Sequence, residues 1–300
     1  GVMAVLMPAI AQPVVRKITD SDDIALGHFC TLGYLVQAAV ARAIGKNSRS
    51  TEDLELPDHF KFLQDTYLSM AVVMVPMYLI PAFVAGPEYI ARFAGGTNYL
   101  MYAFMQSMQF VAGVFVLYSG VRLLLNELVP AFRGIAMRLV PDAKPALDCP
   151  VLFPYAPNAV IVGFLATTVG SLIGMIVFPL FGLAMILPGL LTNFFAGGTA
   201  GVFGNALGGR KGAIIGGVVH GLFITLLPAI LVPLLENFGF QGVTFSDSDV
   251  IGAGLVLGHA LQHDWLFVAG FIAFAIFITW FVNRKLTGHS LPDVVKTETD

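Results

Sequence analysis

Long stretches without an ionised side chain limit what this chain can become. No Asp, Glu, Lys or Arg lies between Asp65 and Glu88, Arg92 and Arg122, Lys211 and Glu236, or Asp264 and Arg284. A helix of about 20 apolar residues crosses the hydrocarbon of a bilayer, so each gap is a candidate span. Composition agrees, with 12% charged and 57% hydrophobic residues among 300 and a mean hydropathy of +0.81. A soluble domain carries roughly a quarter charged residues, so lipid must solvate much of this surface. The expectation is an all-α polytopic membrane protein. A net charge of −3 argues against nucleic acid as a partner. Two cysteines, Cys30 and Cys149, are too few to read as a disulfide framework or a zinc site from sequence.

The flanking charges suggest an orientation, because short cytoplasmic loops are rich in Lys and Arg. Arg16, Lys17, Arg42, Lys46, Arg49 and Lys61 fall in the first polar region. Arg122, Arg133, Arg138 and Lys144 follow the second span, Arg210 and Lys211 mark a third basic point, and Arg284 and Lys285 open the tail. The loop from Glu236 to Asp264 holds Asp247 and Asp249 and no Lys or Arg. The loop is therefore expected outside, and the C-terminus in the cytoplasm. The chain divides accordingly. Residues 1–15 read as the end of a transmembrane helix that starts upstream, since they are apolar, half a span long and lack a signal peptide's basic start. Residues 16–65 form a cytoplasmic segment with amphipathic helices, including a Ser50/Asp53 capping box and a short helix from Pro57 carrying Phe60, Phe62 and Leu63. Residues 66–144 hold two spans and an amphipathic cytoplasmic helix around Phe132, Ile135 and Leu139. Residues 145–283 form a core transport region, and 284–300 a cytoplasmic tail.

The core region departs from plain spans. No ionised residue occurs between Asp148 and Arg210, yet both ends are expected on one side, so the chain must cross an even number of times or dip and return. The part "LPGLLTNFFAGGTAGVFGNALGG" is dense in Gly and Asn. Irregular backbone at membrane depth persists only inside protein or beside a cavity. Interrupted apolar segments often mark a transporter's substrate site, while small residues also serve close helix packing. The sequence leaves both readings open.

Ionisable groups at membrane depth are costly and therefore informative. Asp148 precedes Cys149 and three prolines in "ALDCPVLFPYAP". It suits either a ligand-binding carboxylate or an ordinary helix cap. His28 in "DDIALGHFCTLGY" is read as structural or as a ligand-binding group, and His220 as an interhelical link or site residue. His259 and His263 share a helical spacing, but a third ligand of matching placement is missing, so no metal site is expected. Cys149 lacks the basic and Gly-rich surroundings of a phosphocysteine. No nucleotide-binding or hydrolase motif is present, so no cofactor and no covalent chemistry on this chain are expected.

Several long stretches together carry a resemblance. "GHFCTLGYLVQAAVARAIGKNSRSTEDLELPDHF", "GVRLLLNELVPAFRGIAMRLVPDAKPALDC", "YAPNAVIVGFLATTVG" and "PGLLTNFFAGGTAGVFGNALGGRKGA" resemble the ascorbate-specific enzyme IIC membrane component of the bacterial phosphoenolpyruvate-dependent phosphotransferase system. The resemblance implies an inner-membrane homodimer with inverted repeats and re-entrant hairpins, of which this chain holds the second half. It implies uptake of L-ascorbate or a related sugar acid, phosphorylated by a cytoplasmic component carrying the phosphoryl group. The family's pocket His falls on His28 and its pocket Asp on Asp148. The family's Gln after the His is here Phe29, which places a different side chain at that contact. An ion-gradient-driven secondary transporter is the alternative function.

Overall fold

A computed structural model describes residues 2–54, 66–138, 144, 146–240, 247–284 and 286. The chain folds as two compact units, one from Gly1–Asp53 with Lys144–Asp300 and the other Leu54–Ala143. Five helical stretches among the described residues are long and apolar enough to cross a membrane: Met70–Ala94, Tyr99–Leu117, Pro157–Phe181, Leu190–Glu236 and Trp265–Asn283. The architecture is all-α and polytopic, and the four charge-free gaps fall on four of these stretches.

The smaller unit pairs α3 (Thr66–Ala94) with α4 (Tyr99–Arg138). The turn between them uses Gly95 and Gly96 in left-handed conformations, and Asn98 caps the amides of Leu100 and Met101. Tyr67 meets Phe115 edge-on and Tyr78 lies near Phe110, as an antiparallel pair requires. Phe132 and Ile135 belong to α4 itself, which continues unbroken to Arg138. The short helix expected from Pro57 lies outside the described residues. Before it, the Ser50 amide donates to the Asp53 carboxylate at 3.1 Å, one half of the expected capping box, but within a turn.

In the larger unit, α1 (Val2–Thr19) leads into β1 (Ala25–Leu26) and α2 (Thr31–Ile44). After β2 (Ala146–Leu147) come a 3₁₀ helix (Cys149–Tyr155), α5 (Pro157–Val177), the single turn α6 (Leu190–Thr192), a π-helical turn (Asn193–Gly197) and α7 (Gly198–Glu236). The last helices are α8 (Ser248–Leu261) and α9 (Trp265–Asn283). Strands β1 and β2 pair in parallel, Ala25 with Ala146 and Leu26 with Leu147.

The α7 helix is two arms. Gly209 adopts φ 54, ψ −149, a conformation that favours glycine, and a Cβ at Gly204 would sit 2.6 Å from the Gly212 carbonyl oxygen. Eight residues of continuous helix span about 12 Å, so that contact requires a hairpin at Gly208–Gly209. The first arm runs antiparallel to α5: a Cβ at Gly201 would strike the Ala159 carbonyl and Gly163, Thr167 crowds Gly197, and Ser171 bonds to Asn193. The second arm runs parallel to α5, with Thr167 against His220 and Gly174 against Thr225. The chain therefore passes out along α5 and back along the first arm before reaching Arg210. The Arg210 amide ends beside Arg49 at 2.8 Å, and Glu52 accepts from the Asn158 and Ala159 amides at the start of α5. That carboxylate satisfies donors which the first turn of a helix cannot pair internally. Small residues thus serve close helix packing, one of the two readings left open by sequence, and they also turn the chain at Gly208–Gly209.

A second return follows α7. Leu227, Leu231 and Leu234 pack with Ile251 and Leu255, and Gly258 abuts Leu234, so α8 runs parallel to the second arm. The chain must come back from Glu236 to Asp247 before α8 can begin. Asp249 is fully buried and accepts from the Thr31 and Leu32 amides at 2.9 and 2.7 Å, while the Ser248 hydroxyl accepts from Gly33. The α2 N-terminus is therefore capped by α8. In the sequence reading Asp249 belonged to an acidic outer loop; the fold gives it an interior structural role.

Candidate functional site

The site begins at the short parallel strand pair. The Gly27 amide donates to the Leu147 carbonyl at 2.7 Å, which brings the two following residues, His28 and Asp148, side by side. The titratable side-chain atoms of His28, Asp148 and Cys149 lie within 4.8 Å of one another. His28 Nδ1 contacts the hydroxyl of buried Tyr34, six residues on and in the first turn of α2. Asp148 accepts from the Cys149 amide at 2.8 Å and so begins the 3₁₀ helix, where Pro150 supplies a fixed φ. Asp148 is thus the cap of this helix, and its carboxylate has room for further donors.

Asp247 closes the other side. Its carboxylate lies 3.8 Å from His28 Nε2 and 3.5 Å from the Cys30 thiol. His28 and Asp247 line a cavity of about 190 Å³ with Leu191, Thr192, Phe195 and Ala196. Thr192 and Asp247 also line an adjoining cavity of about 400 Å³, which adds Ser171, Asn193 and Thr225. Asn193 is buried at the start of the π-helical turn, donating to Thr168 Oγ1 at 3.3 Å and accepting from Ser171. The linings thus combine hydroxyls, an amide, an imidazole and a carboxylate, a set suited to a polyhydroxylated ligand.

The three residues expected in the site separate into two groups. His28 and Asp148 come together. Phe29 does not join them: it is 37% exposed and is not among the described residues lining either cavity, while its carbonyl accepts from the Asp249 amide at 2.9 Å. His220 is buried, bonded to Thr167 at 3.1 Å and stacked near Tyr34, away from both linings. His259 pairs with Asp264 and stacks on Phe267 at 3.8 Å.

Residues 1–249 match the family described as EIIC-GAT, the PTS (phosphotransferase) system sugar-specific permease component. The chain belongs to this family. A curated relative, the ascorbate-specific PTS system EIIC component of Mycoplasma pneumoniae (strain ATCC 29342 / M129 / Subtype 1), is 25% identical over 232 residues, covering 67% of this chain and 35% of the relative. The chain spans about a third of the length of that relative. The resemblance read from the long motifs is borne out at the level of the phosphotransferase-system permeases, and with it a multi-pass membrane protein.

Within this permease family member, sequence reasoning passed over Asp247, Ser248 and Asn193. The signal for Asp247 and Ser248 was present in "SDSDV", an N-cap pattern before an apolar helix. Asn193 carried a weaker one, a polar residue opening a stretch whose π-helical turn is a geometry frequent at functional sites.

Lys144 has a partner nearby. It pairs with Asp22, which also accepts from Arg16 at 2.7 Å and Gln12 at 2.8 Å. Partial burial pushes the Asp22 carboxyl up, but the bonds from Lys144, Arg16 and Gln12 and the Lys144 charge outweigh it and hold the pKa at about 2. This ion cluster ties the end of α1 to the segment leading into β2.

Proposed function

We propose that this chain forms part of a permease that takes up L-ascorbate, or a related sugar acid, across the bacterial inner membrane. A cytoplasmic component of the phosphotransferase system then phosphorylates the sugar, and the chain itself supplies pathway and pocket. The observation that carries the reading is the polar double cavity at His28 and Asp247, with Asp148 beside it, in a member of the sugar-permease family. The relative's ascorbate specificity suggests the substrate class. Hydroxyl hydrogens of the substrate donate to Asp148 and Asp247. The His28 imidazole, which lines the smaller cavity, adds a further polar contact for the substrate.

The basic residues support an orientation. Arg42 at the end of α2 donates to the Val282 carbonyl, Arg284 lies 5.0 Å from the Phe281 ring, and the Lys211 amide bonds to Ser48. These contacts gather Arg42, Arg49, Arg210, Lys211 and Arg284 at one end of the larger unit, which we assign to the cytoplasm with the C-terminus. The reversal between α5 and the first arm of α7, whose Ser171 and Asn193 line the larger cavity, is read as a re-entrant feature. The exposed apolar faces of α3 and α4 are read as lipid-facing or as contacts with a second copy of the chain.

Isothermal titration of the detergent-purified protein, tested against L-ascorbate and an uncharged hexitol, checks the substrate class. Ascorbate is expected to bind and the hexitol to bind at least tenfold more weakly. Equal binding, or preference for the hexitol, removes the sugar-acid assignment.

A further inference from the structure

His28, Cys30 and Asp247 bring one nitrogen, one sulfur and one oxygen together within 4.8 Å. Counting cysteines in the sequence gave no reason to expect this, because the three residues meet only when α8 returns to the start of α2. The spacing is close to what a tetrahedral ion demands. From ordinary zinc bond lengths, a sulfur–oxygen edge is about 3.6 Å and a nitrogen–oxygen edge about 3.4 Å. The Cys30–Asp247 separation is 3.5 Å and the His28–Asp247 separation 3.8 Å. The second of these edges closes by about 0.4 Å, within the reach of a carboxylate rotation, and the nitrogen–sulfur edge, which lies within 4.8 Å, closes toward about 3.6 Å.

The surroundings add a second argument. A metal-binding imidazole usually gives its other N–H to a fixed acceptor, which sets the tautomer and aims the ring. His28 Nδ1 faces the hydroxyl of buried Tyr34, leaving Nε2 toward Asp247. Cys30 is fully buried at the start of α2, so its sulfur is held in place by the fold. His28 and Asp247 line the smaller cavity, so two of the three donors face a space that an ion can enter. One thiolate, one imidazole and one carboxylate favour a borderline-soft cation over magnesium or calcium.

We propose that His28, Cys30 and Asp247 form a binding site for a divalent cation of the zinc class at the wall of the cavity. Cys30 binds as thiolate and gives its proton to solvent, His28 donates through Nε2, and Asp247 through one oxygen. Occupied, the site fastens the start of α2 to the start of α8.

Cobalt(II) titration of the purified full chain, without any sugar, tests the site directly. One equivalent should produce the near-ultraviolet thiolate-to-cobalt band and the strong visible bands of a tetrahedral ion, and one equivalent of zinc should remove them. Cys30→Ser should abolish the near-ultraviolet band, Asp247→Asn should weaken binding at least tenfold, and Cys149→Ser should leave the spectrum unchanged. X-ray absorption on the zinc-loaded wild-type protein needs no variant to fold, and should find one sulfur at about 2.3 Å. No thiolate band, a band kept in Cys30→Ser or lost in folded Cys149→Ser, or zero or two sulfurs around zinc overturns the proposal.

Discussion

Asp148 and Asp249 show how differently two carboxylates of one chain are used. Asp148 stands beside His28 with one oxygen committed to the Cys149 amide. Asp148→Asn is expected to weaken ascorbate binding about ten- to a hundredfold, since a hydrogen bond to a charged group contributes about 1.5–3 kcal/mol. Calorimetry on the purified variant checks this, and unchanged affinity removes Asp148 from the pocket. Asp249 is a cap. Asp249→Ala strands the buried Thr31 and Leu32 amides and should lower stability by about 1–3 kcal/mol, seen as a lower melting temperature in detergent. Asp22 has a pH signature. Its folded pKa, about 2, lies below the ordinary 3.8, so its contribution is present above pH 4 and is lost as pH falls toward 2. Thermal melts of wild type and Asp22→Asn should therefore differ at pH 7 and converge toward pH 2. Sequence made His28 and Asp148 visible because each interrupts apolar surroundings. It hid the role of Asp249, which exists only once α8 returns to α2, and it gave Phe29 a side-chain role where the fold uses its carbonyl.

At the scale of elements, close approach of glycines decides how α5 and the two arms of α7 assemble. A side chain at Gly163 would collide with the Gly197 carbonyl and Gly201, so Gly163→Leu should force the helices apart. Overpacking of this kind costs about 1–3 kcal/mol, and a larger loss is expected where the obstacle is backbone. Gly209→Ala adds strain at φ 54 and meets the Ser48 carbonyl, so it should open the hairpin and loosen the Ser48–Asp53 loop. Limited proteolysis would reveal that loosening as faster cleavage near Arg49, and unchanged cleavage would mean that the hairpin does not hold the loop. The glycine density of residues 187–209 was plain in the sequence, and so was the need to return before Arg210. Where the chain turns was not, because "NALGGRKG" fits a helix end and a mid-helix glycine pair equally well. The outcome depends on the 48–53 loop that packs against the turn.

For the whole molecule, charge distribution and cavity give the reading its direction. Single cysteines beside Lys211 and Arg284 are expected to resist impermeant thiol reagents applied outside the cell, and reaction there would reverse the assigned orientation. The polytopic all-α fold was legible from charge-free lengths alone, because bilayer thickness converts length into structure. The cavity was not, since its walls come from residues 28, 171, 192, 193 and 247, brought together by two reversals of the chain. The most direct test of the account is uptake of labelled L-ascorbate into membrane vesicles carrying the full-length protein. Phosphoenolpyruvate and the cytoplasmic phosphotransferase components are varied, and an uncoupler is added in parallel. Uptake should require both additions, deliver ascorbate phosphate to the vesicle interior, and survive the uncoupler. Uptake that proceeds without phosphoenolpyruvate, delivers free ascorbate and stops with the uncoupler would contradict the account and establish an ion-driven transporter.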